Sequence, residues 1–595
     1  MRICVLQSAF TQPNQIEEYS PCQDPGNFTD QHTFDHVWIK KSTAKEQIDE
    51  VIAGGYDFYF NFMWGQHEDD VAGIDACKYF ESFDLPSIGQ RSAVLTRTKN
   101  DFYEDARRLG YPRVPGASLA ADNGTPRYPL FVKTASGCGS MFISPKSLCR
   151  NREELVECLA YLDKELAPGR AEAAPSKDAS AATSKATIID GITIPTDLVV
   201  QEYVSGWDHS VVVIEVGDCP VALNPERYIY PPGFTPYEDF LTFDIKFHAE
   251  TRVELLKYDD DPTLFKKLQE VAVQAWNANK MAGQSWGNVD IRVPRPGHGE
   301  PIALEVNPMP AVFLPPPQDW EDASVRASFP GGHPALINTL IASHMLRRRA
   351  RDAVSKIVGE VYDNLSPRYD GIAESVTQLG NFYGKAIARM DYSHGTILDL
   401  GSGTGLFGRT LMQKMQQITP PESESDSASD GETPALPDAR QAPTHNFSIT
   451  GIELSKGMAE LCQKTGVYAK VHVGPVQSII PTVGSFDHIV SFSMLYFLTP
   501  EDFTMTMVRA FQLARKSLVV CLDEIPEAYT NKLIEMGPPH SSMLGHNHIP
   551  LVEKMFCDKP PAGWKLADKY RQWGWKSPVA GSEVYVTVYS FERGV

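Results

Sequence analysis

The sequence predicts a multidomain α/β protein, and three observations carry that prediction. Short apolar runs that read as buried strands (RICVL, YDFYFNFM, LPSIG) alternate with helical stretches within the first 96 residues. Farther on, NVDIRV and PIALEV flank a Pro/Gly turn, which reads as a β-hairpin starting at Asn288. In the second half, the strand TILDL runs into Gly401-x-Gly403-x-Gly405 and an amphipathic helix. A chain of 595 residues also exceeds what a single core usually organises.

Composition narrows the class. Apolar residues make up 42% and charged residues 22%, an ordinary globular balance that gives each half a sizeable core. Lys and Arg number 55 against 75 Asp and Glu, a formal net charge of −20. That balance argues against a nucleic acid or an anionic membrane as partner. The 10 cysteines show no CxxC pair and no regular spacing. Neither a zinc site nor a disulfide framework is expected, and reduced thiols in a cytoplasmic enzyme fit best. MRICVLQSAF reads as a short strand rather than a signal peptide. No run approaches ~20 apolar residues, so no segment is expected to span a membrane.

In chain order, residues 1–96 read as an open α/β layer. Thr11 to Phe34 is a long polar loop, either a cover for a substrate or a plain surface loop. Arg97 to Pro115 reads as a helix ended by Gly110. Tyr128 to Ser144 reads as a buried strand ending in Lys133, a small-residue loop from Thr134 to Ser140, and another strand. Such a loop lets backbone N–H groups approach phosphate beside a lysine. It also fits a simple hairpin turn, and without GK[ST] after the glycines it is not a Walker A loop. The Ala/Ser/Lys-rich stretch 167–187 reads as a disordered insertion. LVVQEYVSGWDHSVVVI gives two apolar strands around a glycine turn, with Gln201, Glu202, Tyr203, Val204 and Asp208 between or at their ends. A strand edge beside an aromatic suits a purine, and a carboxylate suits ribose hydroxyls, though Asp208 equally fits a turn residue. FDIKF places Lys246 near the end of another extended piece.

The hairpin is the centre of the first half. Asp290 lies seven residues before Gly297 and Glu305 seven after His298. Folding at that centre sets the carboxylates opposite each other, about 5 Å apart at Cβ. Period-two alternation puts Arg292 on the face of Asp290 and Asn307 on the face of Glu305. Two carboxylates and a carboxamide form a hard oxygen cluster suited to Mg²⁺ carrying substrate phosphates. The same pattern also describes the solvated face of an edge hairpin, and the preceding stretches decide between the two.

Taken together, the stretch from Arg97 to Pro315 resembles the ATP-grasp carboxylate–amine ligases, and the first half is most similar to the D-alanine–D-alanine ligase group. The matching order is Lys99, Lys133 with its small-residue loop, QEYV with Asp208, Lys246, and the Asp290…Glu305-x-Asn307 hairpin. The resemblance implies that Lys99, Lys133 and Lys246 contact ATP phosphates. It sets Gln201, Glu202, Tyr203 and Val204 along the adenine, Asp208 on the ribose, and Asp290, Glu305 and Asn307 on Mg²⁺. Arg292 and Lys246 are the candidate catalytic cations, with Ser140 at the end of a candidate lid. In the D-alanine ligases an arginine stands two residues before the metal aspartate, where this chain has Asn288. Ala311 replaces the family's oxyanion glycine, and FLPPP carries no serine for a substrate carboxylate. D-alanine is therefore not the expected acceptor. Chemistry of this kind activates a carboxylate as an acyl phosphate, spreads charge onto Mg²⁺ and cations, and excludes water before an amine attacks.

The first half reads as residues 1–96 followed by an ATP-grasp domain over 97–345. His344 to Val358 is basic and helical in pattern, a linker helix at about 346–360 with the boundary near Ala350. The second domain, 361–595, opens with VYDNLSPRYD. Between its first two strands, residues 418–443 are Pro/Ser/Glu-rich and read as disordered. FSITGIELS then gives a strand ending in Glu453, placed to accept hydrogen bonds from ribose hydroxyls. DLGSGTG with GIELS resembles a class I S-adenosylmethionine-dependent methyltransferase, which implies a Rossmann-like fold. By that resemblance Asp399, Gly401, Gly403 and Gly405 line S-adenosylmethionine, Glu453 takes its ribose, and Tyr362 and Tyr369 match a lid. VGPVQ stands where an acidic residue often contacts adenine, and Gln477 is the candidate substitute. His540, His546 and His548 admit three readings: metal ligands, a general base, or ordinary loop histidines.

The expectation is a bifunctional biosynthetic enzyme. One half joins a small-molecule carboxylate to an amine with ATP and Mg²⁺, and the other methylates N or O of substrate or product. Two alternatives accompany it: one half is an inactive nucleotide-binding regulator, or the ligase modifies a peptide or protein end. Ligases of the resembled family imply a homodimer.

Overall fold

The computed structural model describes residues 1–9, 22–67, 69–116, 126–137, 139–172, 187–247, 250–294, 299–314, 322–348, 353–376, 379–418, 446–538, 540–577 and 580–594. Two compact units divide the chain, Met1–Met345 and Leu346–Val595.

The first unit opens with a parallel sheet of strands β1 (Arg2–Ser8), β2 (Thr33–Ile39), β3 (Phe58–Phe62) and β4 (Ser87–Gly89) in the order β2-β1-β3-β4. The centre strands β1 and β3 are buried along nearly their whole length, which is why both read as continuous apolar runs. β2 was not expected. Its burial alternates, as befits an edge strand, and it occupies part of the stretch that reads as a long polar loop. Helix Lys99–Leu109 is set by a capping box between Thr98 and Asp101 and stopped by Gly110 at φ +79°.

Beyond it lie β5 (Leu130–Thr134), β6 (Leu148–Cys149), the hairpin β7 (Thr187–Ile189) and β8 (Ile192–Ile194), and β9 (Leu198–Glu202). β5 pairs antiparallel with both β6 and β9 to make a three-stranded sheet. The expected strand after Ser140 does not form. Ser140 and Phe142 both adopt positive φ, 57° and 61°, so MFIS turns and the partner strand waits until Leu148. The low-complexity stretch is partly ordered: helix Arg152–Glu172 carries on through Ala167, while 173–186 lie outside the described residues.

The other sheet holds β10 (Trp207–Val216), β11 (Cys219–Ala222), β12 (Glu226–Ile229), β13 (Arg252–Leu255), β14 (Trp286–Val293) and β15 (Ile302–Asn307), in the order β13-β12-β10-β14-β15 with β11 on β10. The strands either side of the SG turn therefore belong to different sheets. Gly206 makes that crossing: at φ +140° its missing Cβ would sit 2.2 Å from the Val293 carbonyl oxygen. FDIKF is a short helix, Phe243–Phe247, rather than an extended piece. Helix Pro262–Ala278, capped by Asp261 onto the Leu264 N–H, covers the sheet with Leu268, Ala272, Ala275 and Trp276 in the core.

In place of one linker helix there are two helices, Gly332–Arg348 and Ala353–Leu365, with 349–352 outside the described residues. The second unit is a seven-stranded sheet of β16 (His394–Leu400), β17 (Asn446–Glu453), β18 (Tyr468–Val473), β19 (Phe486–Phe492), β20 (Ala514–Glu524), β21 (Trp564–Lys576) and β22 (Glu583–Arg593). Its order is β18-β17-β16-β19-β20-β22-β21. The first five strands are parallel and the last two antiparallel. Strand order reverses between β16 and β19, so the ligand crevice of such a sheet falls at their carboxyl ends. Residues 419–445, which include nearly all of the expected insertion, lie outside the described residues.

The nine described cysteines are free thiols. Among the described residues no helix is long and apolar enough to cross a membrane.

Candidate active sites

In the first unit the hairpin register is the decisive geometry. Asp290 pairs directly with Glu305, and Asn288 with Asn307, across β14 and β15. A bulge follows: Ile291 pairs with Ala303, leaving Leu304 as the extra residue. Lys99 Nζ, from the start of its helix, stands 3.3 Å from Glu305 Oε2, and Lys133 Nζ, from the end of β5, stands 3.6 Å from the same oxygen. Burial alone would raise the Glu305 pKa, but Lys99 and Lys133 outweigh it and hold the carboxyl below its usual range. Burial lowers the pKa of Lys133, against the pull of Glu305 and Asp290. Asp290 accepts from the side-chain amides of Asn288 (3.1 Å) and Asn307 (3.2 Å). Asn288 is oriented in turn by the Ser210 hydroxyl, which donates to its Oδ1 at 2.7 Å.

A cavity beside this cluster is lined by Lys133, Ser140, Lys246, Asp290 and Glu305 together with Phe131, Tyr203 and Phe240. The Phe131 and Phe240 rings meet edge to face at 4.9 Å. Its aromatic residues suit a flat base, and its cations and carboxylates suit phosphates with a divalent ion. Asp290, Glu305 and Asn307 are the residues that would hold the ion, with the Asn307 amide turned to present its oxygen. Among the described residues no group of three His, Cys, Asp or Glu is placed to hold a metal. This cluster has two carboxylates, and its third donor is the carboxamide.

Most of the remaining residues read from the sequence also line this cavity, Gln201, Val204, Asp208 and Arg292 among them. Lys246 lies in the short helix with Nζ 5.2 Å from the Tyr228 ring centroid, and Ser140 lines the cavity. The Tyr203 N–H donates to Pro129 O, and Glu202 accepts from the Gly116 N–H at 2.7 Å. Gln201 is buried with Oε1 against the Tyr103 hydroxyl. Asp208 and Arg292 form an ion pair at 3.1 Å. Asp208 also takes the Tyr230 hydroxyl. Arg292 donates to the Val204 and Asp239 carbonyls at 2.9 and 2.8 Å and to Tyr230 Oη at 3.1 Å. Burial opposes its charge, yet Asp208 and Tyr230 raise its pKa further above the ordinary arginine value. Its donors are directed at protein groups, and it clamps the segment Val204–Asp208.

Sequence reasoning missed Tyr103. Its hydroxyl lies 2.6 Å from the Leu304 carbonyl oxygen and 2.9 Å from Gln201 Oε1, and Lys133 Nζ sits 5.9 Å from its ring. A signal existed: Tyr103 is four residues after Lys99 on one helix, hence on the same face. Gln23, in the part of the early loop that is described, accepts from the Val312 and Phe313 N–H groups at 3.0 and 3.2 Å. Residues 11–21 and 315–321, where the rest of that loop and of FLPPP fall, lie outside the described residues.

In the second unit the loop after β16 has Gly401, Gly403 and Gly405 at φ +75°, +54° and +85°. A Cβ on Gly401 would meet Met494 Cγ at 2.4 Å, whereas nothing lies within 4 Å of one on Gly403. The open side of Gly403 leaves room for a ligand to reach the backbone. Glu453 Oε2 accepts from the Gly403 N–H at 2.8 Å and Oε1 from the Ser455 N–H at 2.9 Å. Burial raises its pKa. Asp399 lies beneath the loop at 2% exposure, accepting from the Tyr468 hydroxyl at 2.6 Å, and burial lifts its pKa to about 7. The Tyr362 and Tyr369 rings meet at 6.1 Å, tilted by 58°. Between them in sequence, Asp363 takes the Ser455 hydroxyl and the Gly457 N–H, and the adjacent Asp370 takes Arg409 and the Thr404 hydroxyl. The amino-terminal helices are thus tied to both loops that line the crevice. Gln477 is buried in the short helix Val476–Ile479. His548 is a core histidine: it stacks on Phe503 at 4.1 Å, and its Nε2 lies 3.0 Å from the Leu498 carbonyl. Burial lowers its pKa to about 3.

No protein-family profile matches the chain, and no curated protein matches it. Among solved structures it is similar to the VanG D-Ala:D-Ser ligase from Enterococcus faecalis at 14% identity, over 58% of this chain and 99% of that one, with a TM-score of 0.38. It is similar to the D-alanine-D-alanine ligase from Coxiella burnetii at 15%, over 59% and 95%, TM-score 0.37. It is also similar to the magnesium protoporphyrin IX methyltransferase from Synechocystis PCC 6803 at 12%, over 36% and 82%, TM-score 0.25. The chain is a mixed α/β protein with several sheets, and its structural neighbours include both D-alanine ligases and methyltransferases.

Proposed function

We propose that the first unit joins a carboxylate to an amine with ATP and Mg²⁺, and that the second methylates N or O of the substrate or product. The observation that carries the ligase reading is the pairing of Asp290 with Glu305 beneath two lysines, 3.3 and 3.6 Å from Glu305. The residues fit the cofactors: the carboxylates and Asn307 suit a hard divalent ion, Lys99, Lys133 and Lys246 suit phosphates, and Phe131, Tyr203 and Phe240 suit a base. When bound, ATP supplies the phosphoryl that makes a carboxylate a good electrophile. The lysines would neutralise charge as it moves to the leaving oxygen, Arg292 would fix Val204–Asp208 against the base, and Ser140 would stand at the cavity wall where water must be excluded. In the second unit, Glu453 and the glycine loop suit the ribose and backbone contacts of S-adenosylmethionine, which supplies an electrophilic methyl. Methyl transfer needs chiefly in-line alignment.

Glu305→Gln tests the first reading. ADP release with amine acceptors is expected to vanish while methyl transfer persists. ADP release at the wild-type rate would sink the metal assignment. A second reading, in which the first unit binds nucleotide without turnover, draws on the amides of Asn288 and Asn307 that already engage Asp290. ATP binding without ADP release across a broad amine panel would favour it.

A further inference from the structure

The sequence leaves open whether the methyl acceptor is N or O, and a buried carboxylate at the crevice of the second unit bears on this. Asp523 lies at the carboxyl end of β20, the strand beside β19, and is 1% exposed. Its Oδ1 accepts from the Trp575 indole N–H at 2.6 Å. Its Oδ2 is fully buried and has no hydrogen-bond partner of good geometry, the Ser493 hydroxyl being its polar neighbour. No lysine or arginine among the described residues pairs with it. A buried carboxylate left in this condition is costly when ionised, and burial raises the Asp523 pKa to about 7.

Trp575 stands 5.8 Å from Tyr529 and 6.4 Å from Tyr496, ring centre to ring centre. Tyr496 packs on Phe497, which meets Tyr362, and Tyr362 meets Tyr369. Tyr369, Tyr496 and Tyr529 all lie within electrostatic reach of Asp523. Tyr362 and Tyr369 also feel Glu453, so the aromatic group lies between the residue suited to the ribose and Asp523. The titratable neighbours are these tyrosines and Cys521, and burial raises the pKa of each, keeping them neutral at pH 7. The setting is thus one buried carboxyl among aromatic rings, and a cation beside it would favour its ionised form; such an arrangement recognises organic ammonium groups through cation–π attraction and an ion pair. A hydroxyl acceptor would gain little from either.

Resting on the methyltransferase reading of this unit, we propose that Asp523 and the rings of Tyr362, Tyr369, Tyr496, Tyr529 and Trp575 form the acceptor subsite, and that the acceptor is an amine that enters as its ammonium ion. Asp523 Oδ2 would take one N–H proton. The nitrogen lone pair would then form the N–C bond as the S–C bond breaks, and that bonding pair stays on sulfur as a neutral thioether.

The test uses the full-length protein saturated with S-adenosylhomocysteine and titrated calorimetrically with choline and with its uncharged carbon isostere. Choline is expected to bind at least ~10-fold tighter than the isostere. Asp523→Asn is expected to erase that difference while leaving S-adenosylhomocysteine affinity unchanged. Tyr529→Leu, which spares the carboxylate, is expected to weaken choline and not S-adenosylhomocysteine. Equal binding of choline and isostere, or a preference that survives in Asp523→Asn, would overturn the proposal. Absence of S-adenosylhomocysteine binding in the wild type would instead remove the methyltransferase reading beneath it.

Discussion

Arg292 separates a clamp from a catalyst, and replacing it with Met distinguishes the two. The guanidinium is 4% exposed and pairs with Asp208 at 3.1 Å, while its other donors reach the Val204 and Asp239 carbonyls and Tyr230. Met fills similar volume but leaves Asp208, whose side chain is 15% exposed, without its cation. Removing one partner of a buried pair costs about 3–5 kcal/mol. At roughly 2.1 cal/mol/K per residue, a unit of this length has an unfolding entropy of about 0.7 kcal/mol/K, so the melting temperature should fall by about 4–7 °C. Differential scanning calorimetry of the full chain reads this on the transition that ATP and Mg²⁺ shift upward. Asp208→Asn in the same chain should recover part of the loss, because the orphaned charge is gone. A catalytic arginine predicts the reverse pattern, unchanged melting with turnover lost. If Arg292→Met melts within about 1 °C of wild type, or if Asp208→Asn recovers nothing, the clamp argument is wrong.

Three further outcomes follow from the same geometry. Burial raises Asp399 to about 7, so the folded state keeps its proton where the unfolded state has lost it. Its stabilising effect is therefore full below the unfolded pKa and is lost as pH rises toward 7. The melting difference between wild type and Asp399→Asn should move against the wild type from pH 5 to pH 8, and a pH-independent difference would count against the burial argument. Lys99→Met removes a cation that holds the Glu305 pKa down. The contribution of Glu305, present above its unfolded pKa and lost as pH falls through the folded one, should then be lost at higher pH, and the acid limb of ADP release should shift upward. Gly401→Ala places a methyl 2.4 Å from Met494 Cγ at φ +75°. About 1–3 kcal/mol of overpacking and strain is expected, with S-adenosylmethionine affinity falling ~10-fold or more by calorimetry, whereas unchanged affinity would place the cofactor elsewhere.

Where the sequence was legible, one short-range rule was enough. β16 and β17 stood out because each is an extended run whose apolar, buried second half leads to a special residue, Gly401 after one and Glu453 at the end of the other. The helix from Lys99 to Leu109 was legible because its start and stop are both local: a capping box and a left-handed glycine. What stayed hidden depended on distant partners. FDIKF has alternating apolar residues and still forms a helix, because five residues carry too little pattern to decide between periods of 2 and 3.6. MFIS is apolar enough for a strand but is turned by positive φ at Ser140 and Phe142, neither of which is glycine. The Asp208–Arg292 pair was read as two separate contacts to ligand, since nothing in either local stretch announces that β10 and β14 are neighbours with those two residues in register.

The hairpin shows both cases within a few residues. Counting outward from its centre sets Asp290 against Glu305, and that is the observed pair. A perfect ladder, however, would then set Leu304 against Ile291, and the observed partner there is Ala303. The bulge frees Leu304 from the ladder, and its carbonyl accepts from the Tyr103 hydroxyl at 2.6 Å and from Lys133 Nζ at 3.4 Å. Lys133 is thereby held between a carbonyl and the Glu305 carboxylate, against the desolvation that lowers its pKa. One irregular residue therefore fixes the lysine, orients the tyrosine and leaves both carboxylates facing the cavity. Bulges recur beside active sites because they re-aim single groups without disturbing the sheet. The least regular point of the strand is thus the one that joins the helix, β5 and the hairpin into a single site.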